Sequence, residues 1–400
     1  MPFRDFTTME ERIGLLRAWD SGGFSVALLC ARYGVSRETF YVWKRRRDSG
    51  DRHWFMDKSH APRSCPHATD AEAARQIVAV RERFVHFGPK KIKAWLERHD
   101  PRTDWPAAST IGDIVKRAGL VTAKTRARRA IAQGDLAAPA HEPNAEWAID
   151  FKGWFRTANN ARCDPLTLTD AASRFLLAVT ITPLHTAGVR AVLGRVFREH
   201  GLPDALRSDN GAPFGSPGPA GLSRLSVWLV KLGVRPRFIP PASPQDNGDH
   251  ERMHRTLKAH TQAPPARTLA EQQRRFDAFR RHYNEERPHE ALGQRPPVAL
   301  WRASPRAMPA RPDEPWYDAD HQIRRVRCDG TIKWKGAPVF VGQALAGEWI
   351  GLAEDEGGAW RARFFDIELG LVDCQGRFVR FAPPRTRRRK PPEPALTKAP

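Results

Sequence analysis

The strongest constraint on the fold is a carboxylate set inside a short strand. Trp147, Ile149 and Phe151 alternate with Ala148, Asp150 and Lys152, the period of a strand with one buried face. The pleat therefore sends Asp150 to the face opposite the three large apolar groups. Aspartate is depleted in strands, so one at this position needs a partner or a task. Strands and helices alternate from there on. Residues 166–169 and 175–182 read as two further strands, and 186–200 as a helix with Val189, Val192, Leu193, Val196 and Phe197 at helical spacing. Residues 205–208 form a fourth strand leading into Asp209-Asn210-Gly211, and 237–240 a fifth. A helix capped by Asn247 then opens with Glu251 in its first turn. This is the pattern of an α/β sheet domain.

Each acid alone has an ordinary explanation. Asp-Asn-Gly suits a turn, and a glutamate in a first turn complements the helix dipole. Together, an Asp on the first strand, an Asp ending the fourth and a Glu opening the next helix can meet at one sheet edge. Three carboxylates there repel one another unless cations sit between them. Oxygen donors suit Mg²⁺ or Mn²⁺, and two such ions about 4 Å apart form a clamp for in-line displacement at phosphorus.

Three blocks carry a family resemblance: Ala148-Ile149-Asp150-Phe151-Lys152-Gly153, Ser208-Asp209-Asn210-Gly211, and the run from Pro244 to Arg252 that holds Asp249-His250-Glu251. They resemble the signature blocks of DDE transposases of bacterial insertion sequences with an integrase catalytic core. The gaps agree, with 58 residues between Asp150 and Asp209 and 41 between Asp209 and Glu251. Tyr283-Asn284 with Arg287-Pro288-His289-Glu290 is similar to the block that closes this core. Ser64-Cys65-Pro66-His67, between two helical units, is similar to one integrase-like subgroup. The resemblance implies a ribonuclease-H-like core at residues 141–295 and two divalent metals, Mg²⁺ or Mn²⁺. Asp150 would bridge both, with Asp209 and Glu251 each holding one. Arg255 and Lys258 fall on nearly the same helix face as Glu251 and are expected to contact DNA phosphates. Asp246 and Asp249 depart from the motif and offer rival carboxylates. Asp170, near a strand end, reads as structural.

The flanking segments point to the same polyanion. Formal net charge is +21, of which residues 1–140 carry +10, and nucleic acid is the commonest partner for such an excess. Helix signals cover residues 9–21, 26–33 and 37–47, with Gly34 between the second and third and Ser36 as a cap. This is a helix-turn-helix unit at residues 1–50, whose third helix would present Arg37, Lys44, Arg45 and Arg46 to DNA. After a linker at 51–69, residues 70–121 read as a second helix-turn-helix or winged-helix unit, its third helix capped by Ser109 and ending in Lys116 and Arg117. A basic linker at 122–140 adds Lys124, Arg126, Arg128 and Arg129.

Beyond the core, prolines mark a stiff linker at residues 296–320. Six short glycine-punctuated runs in 321–382 read as a small antiparallel β-barrel, and 383–400 as a basic, disordered tail. Five scattered cysteines without a CxxC pair speak against a disulfide framework or zinc finger. No apolar stretch is long enough for a membrane span and no signal peptide is visible. The expectation is a multidomain, cytoplasmic, nucleoid-associated transposase that binds double-stranded DNA, both element ends and target, as a homo-oligomer. A non-catalytic DNA-binding regulator that keeps the fold, and a ribonuclease-H-type nuclease, stand as alternatives.

Overall fold

The computed structural model describes residues 8–58, 68–121, 142–239, 248–373 and 375–381. The chain divides into two compact units, Met1–Asp70 and Ala71–Pro400. In the first, α1 (Thr8–Asp20), α2 (Val26–Tyr33) and α3 (Arg37–Asp48) enclose Leu15, Leu16, Leu29 and Phe40. The turn between α2 and α3 forms as the sequence predicts. Gly34 takes the left-handed conformation at φ 67°, and the Ser36 hydroxyl accepts from the Thr39 amide, which relieves an orphan donor of the new helix. Residues 51–58 do not run free, because Arg12 donates to the Phe55 carbonyl at 2.8 Å and pairs with Asp57.

The second unit opens with α4 (Ala71–Arg83), α5 (Pro89–His99) and α6 (Ala108–Arg117), packed around Ile77, Phe84, Phe87, Ile92, Trp105 and Ile111. Ala107, not Ser109, occupies the cap position of α6, with no side-chain cap. The serine lies inside the helix because the chain turns helical directly after Pro106.

A five-stranded sheet follows, built from β1 (Glu146–Phe151), β4 (Pro165–Asp170), β5 (Leu176–Ile181), β6 (Ala205–Ser208) and β7 (Arg235–Phe238). Its order is β5-β4-β1-β6-β7. The first three strands are antiparallel neighbours, whereas β1, β6 and β7 run parallel. A small hairpin pairs β2 (Phe155–Arg156) with β3 (Arg162–Cys163). Two-residue strands carry too little alternation to be read from sequence.

Helices cover both faces of the sheet. α7 (Thr186–His200) and α8 (Arg224–Lys231) pack on the side of Trp147, Ile149, Leu166 and Leu168. α9 (Gly248–Thr261) and α10 (Leu269–Arg281) pack on the other, over Cys163, Leu176 and Val179. α10 gives way to a π turn at His282–Glu286. There the Asn284 side chain leaves the helix pattern to bond both the amide and the carbonyl of Leu176.

The proline-rich segment runs along the core. Trp301 stacks on Phe175 with ring centroids 4.7 Å apart, and the Leu202 amide donates to the Arg306 carbonyl at 2.7 Å.

The C-terminal sheet comprises β8 (Gln322–Arg325), β11 (Trp349–Glu354), β12 (Trp360–Phe364), β13 (Ile367–Val372) and β14 (Phe378–Arg380), in the order β14-β13-β12-β11-β8. β9 (Thr331–Trp334) and β10 (Ala337–Phe340) form a separate hairpin. The expected barrel is thus not observed: among the described residues the sheet is antiparallel but open, with β14 and β8 as edges. Closure needs those edges to pair. Instead the hairpin lays Ile332, Trp334 and Val339 on the same apolar core as Ile350, Leu352 and Phe364, and Val227 and Val230 of α8 complete it. No helix among the described residues is long and apolar enough to cross a membrane.

Candidate active site

Register decides which acids meet. Parallel pairing sets Trp147 against Leu206 and Ala148 against Arg207. Asp150 and Asp209 each lie two residues beyond that last pair, at the C-terminal ends of neighbouring strands, where open α/β sheets bind ligands. Asp209 is exposed, and its Oδ1 accepts from the Gly211 amide at 3.2 Å. Asn210 anchors this turn by donating to the Ile239 carbonyl at 2.7 Å.

Asp150 shares its face with Thr167, its antiparallel partner. The Thr167 hydroxyl donates to the Asp150 carbonyl at 2.9 Å, and its oxygen lies 2.7 Å from Nε2 of both His250 and His254. One hydroxyl therefore spends its proton on β1 and accepts from two imidazoles of α9. Thr169 Oγ1 meets the remaining His250 nitrogen at 3.1 Å. Both rings are buried, and burial holds them uncharged: His250 far below its ordinary value, His254 down to about 3 with help from Lys152.

This docking orients α9. His250, Met253, His254 and Leu257 face the sheet, while Glu251, Arg255 and Lys258 are exposed along the stripe about 100° round the helix from it. Asp249, a rival carboxylate, is occupied by ion pairs with Arg174 and Arg252. Asp170 proves structural. It is fully buried, and its carboxylate accepts from the Asn144 amide at 2.8 Å and from the Ser173 amide and hydroxyl at 2.7 and 2.6 Å.

Among the described residues two groupings of potential cation ligands come within 4.8 Å: Asp318, Asp320 and His321 ahead of the C-terminal sheet, and Asp150, His250 and His254, with His254 Nδ1 4.0 Å from Asp150 Oδ2. Asp209 and Glu251 lie outside both groupings. Both ring nitrogens of His250 and one of His254 are already taken by threonine hydroxyls, which makes the histidines supports first. Asp150, Asp209 and Glu251 offer oxygen donors only, the ligand chemistry that suits hard divalent cations. Lys152 adds positive charge beside them. Its pKa is lowered by partial burial and by the neighbouring Lys258, against the pull of Asp150.

Sequence reasoning missed Thr167, His250 and His254 as a working set. The signal was there in the i, i+4 spacing of the two histidines and the Thr167/Thr169 alternation, but the contact joins residues over 80 positions apart.

The other predicted contacts are scattered. On α3, Arg37 and Arg45 are exposed, Lys44 pairs with Asp48 at 2.7 Å, and Arg46 is half-buried. Lys116 and Arg117 are exposed at the end of α6. Lys124, Arg126, Arg128, Arg129, Asp246, Asn247 and the Ser64–His67 motif lie outside the described residues.

Residues 140–244 and 232–297 match integrase core domain families, and residues 11–51 match a helix-turn-helix domain. The chain is 29% identical over 234 residues to an uncharacterized 31.7 kDa protein of insertion element IS407 from Burkholderia multivorans, covering 56% of this chain and 79% of that protein. It is 27% identical over 301 residues to the InsD transposase of insertion element IS2-9 from Escherichia coli, covering 72% of this chain and 92% of that one. Among solved structures, a chain of the simian T-cell lymphotropic virus intasome aligns at 15% identity and a TM-score of 0.37, covering 73% of this chain and 97% of that chain.

Proposed function

We infer that this chain, with its integrase core and N-terminal helix-turn-helix domain, is the DNA transposase of an insertion sequence. It is a DDE-type polynucleotidyl transferase. The observation that most supports this reading is the parallel pairing of β1 with β6, whose last pair lies two residues before both Asp150 and Asp209, together with the exposure of Glu251 on α9.

Asp150, Asp209 and Glu251 would hold two divalent ions, Mg²⁺ or Mn²⁺. When bound, these supply Lewis-acid stabilisation of charge developing on phosphate oxygens. The protein's own residues position the reaction. Thr167, His250 and His254 lock α9 to the sheet, so Glu251 stays on the same side as Asp150. Arg255, Lys258 and Lys152 line that side with cations that hold phosphate without reading bases. In the first displacement a water oxygen bonds to phosphorus at the element end as the 3′ oxygen leaves, which yields a 3′-hydroxyl and a 5′-phosphate. In the second, that 3′-hydroxyl bonds to a target phosphorus as the target's own 3′ oxygen leaves. Both are in-line displacements by oxygen at phosphorus, so one site serves both.

End recognition falls to the helical modules. Arg37, Lys44, Arg45 and Arg46 of α3 would face one segment, and Lys116, Arg117, Lys124, Arg126, Arg128 and Arg129 another. Assembly as a homo-oligomer on paired ends, in the cytoplasm at the nucleoid, completes the proposal.

The test is strand transfer of pre-cut duplex ends, taken from the DNA flanking the gene, with Mg²⁺. Wild type joins them; Asp150→Asn, Asp209→Asn and Glu251→Gln bind the ends but lose joining by at least a thousandfold, on the order expected for removing charge stabilisation at the reacting phosphate. Joining by all three variants would overturn the site assignment.

A further inference from the structure

One aromatic residue four positions beyond Asp150 is left largely exposed. β1 ends at Phe151; Lys152 donates its amide to the Pro165 carbonyl at 3.0 Å, and Gly153 reverses the chain at φ 87°. A side chain is strained at that angle, so the reversal is written into the sequence. Trp154 follows it and is 56% exposed.

The residues on either side of this turn are firmly held. Phe155 pairs with buried Cys163 across the hairpin and meets Phe276 of α10 edge-on, with ring centroids 6.4 Å apart. Two guanidiniums flank the indole, with Arg162 Cζ 5.3 Å and Arg156 Cζ 5.8 Å from the ring centroid. Each is itself fixed. Arg162 binds Asp164 through two nitrogens at 2.8 and 2.9 Å, and Arg156 donates to the Asn160 carbonyl at 2.9 Å.

We propose that Trp154 is a base-stacking residue. It takes the face of an unpaired nucleobase beside the scissile phosphate, while Arg156 and Arg162 hold the adjacent backbone. This rests on the transposase reading. An exposed indole between cations offers the two things a nucleotide binds: a π surface for the base, and charge for the phosphate. The span is right as well. Trp154 is four residues beyond Asp150, at most about 14 Å of extended chain, or about four base steps of a duplex strand. A base this close to a phosphate undergoing displacement is where unstacking gives access, and an unpaired base with one face open is stabilised by an aromatic surface.

The experiment uses the full-length chain, with pre-cut duplex ends from the DNA flanking the gene. 2-Aminopurine is placed in turn at each of the four positions nearest the joined 3′ end. Binding is read with Asp150→Asn as the background, so no turnover intervenes. One position is expected to be quenched on binding and to brighten in the Trp154→Ala version, with Trp154→Phe retaining most of the quenching. In the Asp150 protein, Trp154→Ala is expected to slow joining about 5- to 150-fold, the factor that a lost base–aromatic stack is worth, and Trp154→Phe to restore most of it. Thermal melting that matches wild type confirms that the variants fold. Wild-type joining rates for Trp154→Ala, or fluorescence unchanged at all four positions, would overturn the stacking role while leaving the transposase reading intact. A wild-type protein that joins no ends would overturn that reading, and the stacking role with it.

Discussion

Thr167→Val is the sharpest test of how the site is built. Thr167 is fully buried, and His250 and His254 are 2% and 8% exposed. Valine fills nearly the same volume but has no acceptor for the two imidazole N–H groups, each 2.7 Å from the hydroxyl oxygen in the native protein. Changing tautomers does not help, since a bare ring nitrogen facing a methyl group is equally unsatisfied. A buried polar group left without a partner costs about 1–3 kcal/mol. Two of them put the loss at about 2–5 kcal/mol, concentrated at the α9–sheet contact. Thr167→Ser keeps the oxygen and loses one methyl, for about 1 kcal/mol. The assay pairs urea denaturation with amide exchange along α9. Thr167→Val should unfold at lower urea, exchange faster over residues 250–257 and join DNA ends poorly, because Glu251 travels with the loosened helix. Thr167→Ser should stay close to wild type in all three. A Val variant within about 0.5 kcal/mol of wild type, the range of ordinary surface changes, would refute the idea that this hydroxyl holds the helix in place.

Two further outcomes follow from buried polar groups. Asp170→Asn turns an amide NH₂ toward donors that now reach a carboxylate oxygen, and should lower stability by about 2–4 kcal/mol; preserved joining at low temperature would separate this structural acid from Asp150. Acid should weaken the second unit before any carboxylate with an ordinary pKa is protonated. His86 and His282 each make a tilted ring contact with His260 where the turn after α4 meets α9 and the end of α10, and His289 lies near Lys91 and Arg287. Burial and neighbouring cations lower His260 and His289 to about 3 and His282 to about 4. The unfolded chain therefore binds more protons below about pH 6.5, so stability falls as pH drops from there toward the folded values. For His289 alone the loss at pH 5.5 is about 1.4 kcal/mol. Urea midpoints between pH 7.5 and 5 should slope downward with acid, and His289→Gln should flatten the slope; midpoints independent of pH would exclude the assignment.

The sequence by itself determined whatever depends on near neighbours. Alternation around Asp150, the 3.6-residue spacing in 186–200, the Gly34–Ser36 turn and the exposed stripe Glu251–Arg255–Lys258 are all set by side-chain direction within a few residues. Each is found in the structure where the pattern placed it. The helix α8 and the strand β13 also had local patterns, but these were short and lay between stronger signals.

Only the tertiary structure decided what joins distant segments. Periodicity leaves the register between β1 and β6 open, yet that register sets Ala148, two residues before Asp150, against Arg207, two residues before Asp209. The same holds for the contact of Thr167 with His250 and His254, for Asp249 being consumed by Arg174, and for the C-terminal sheet remaining open. The physical reason is shared. A hydrogen bond or strand pairing between remote residues forms only if many packing choices agree at once, and no short window of sequence records that agreement. The three carboxylates stand out in the sequence through the motif blocks that carry the family resemblance. The buried hydroxyl and two imidazoles that hold one of them in place do not.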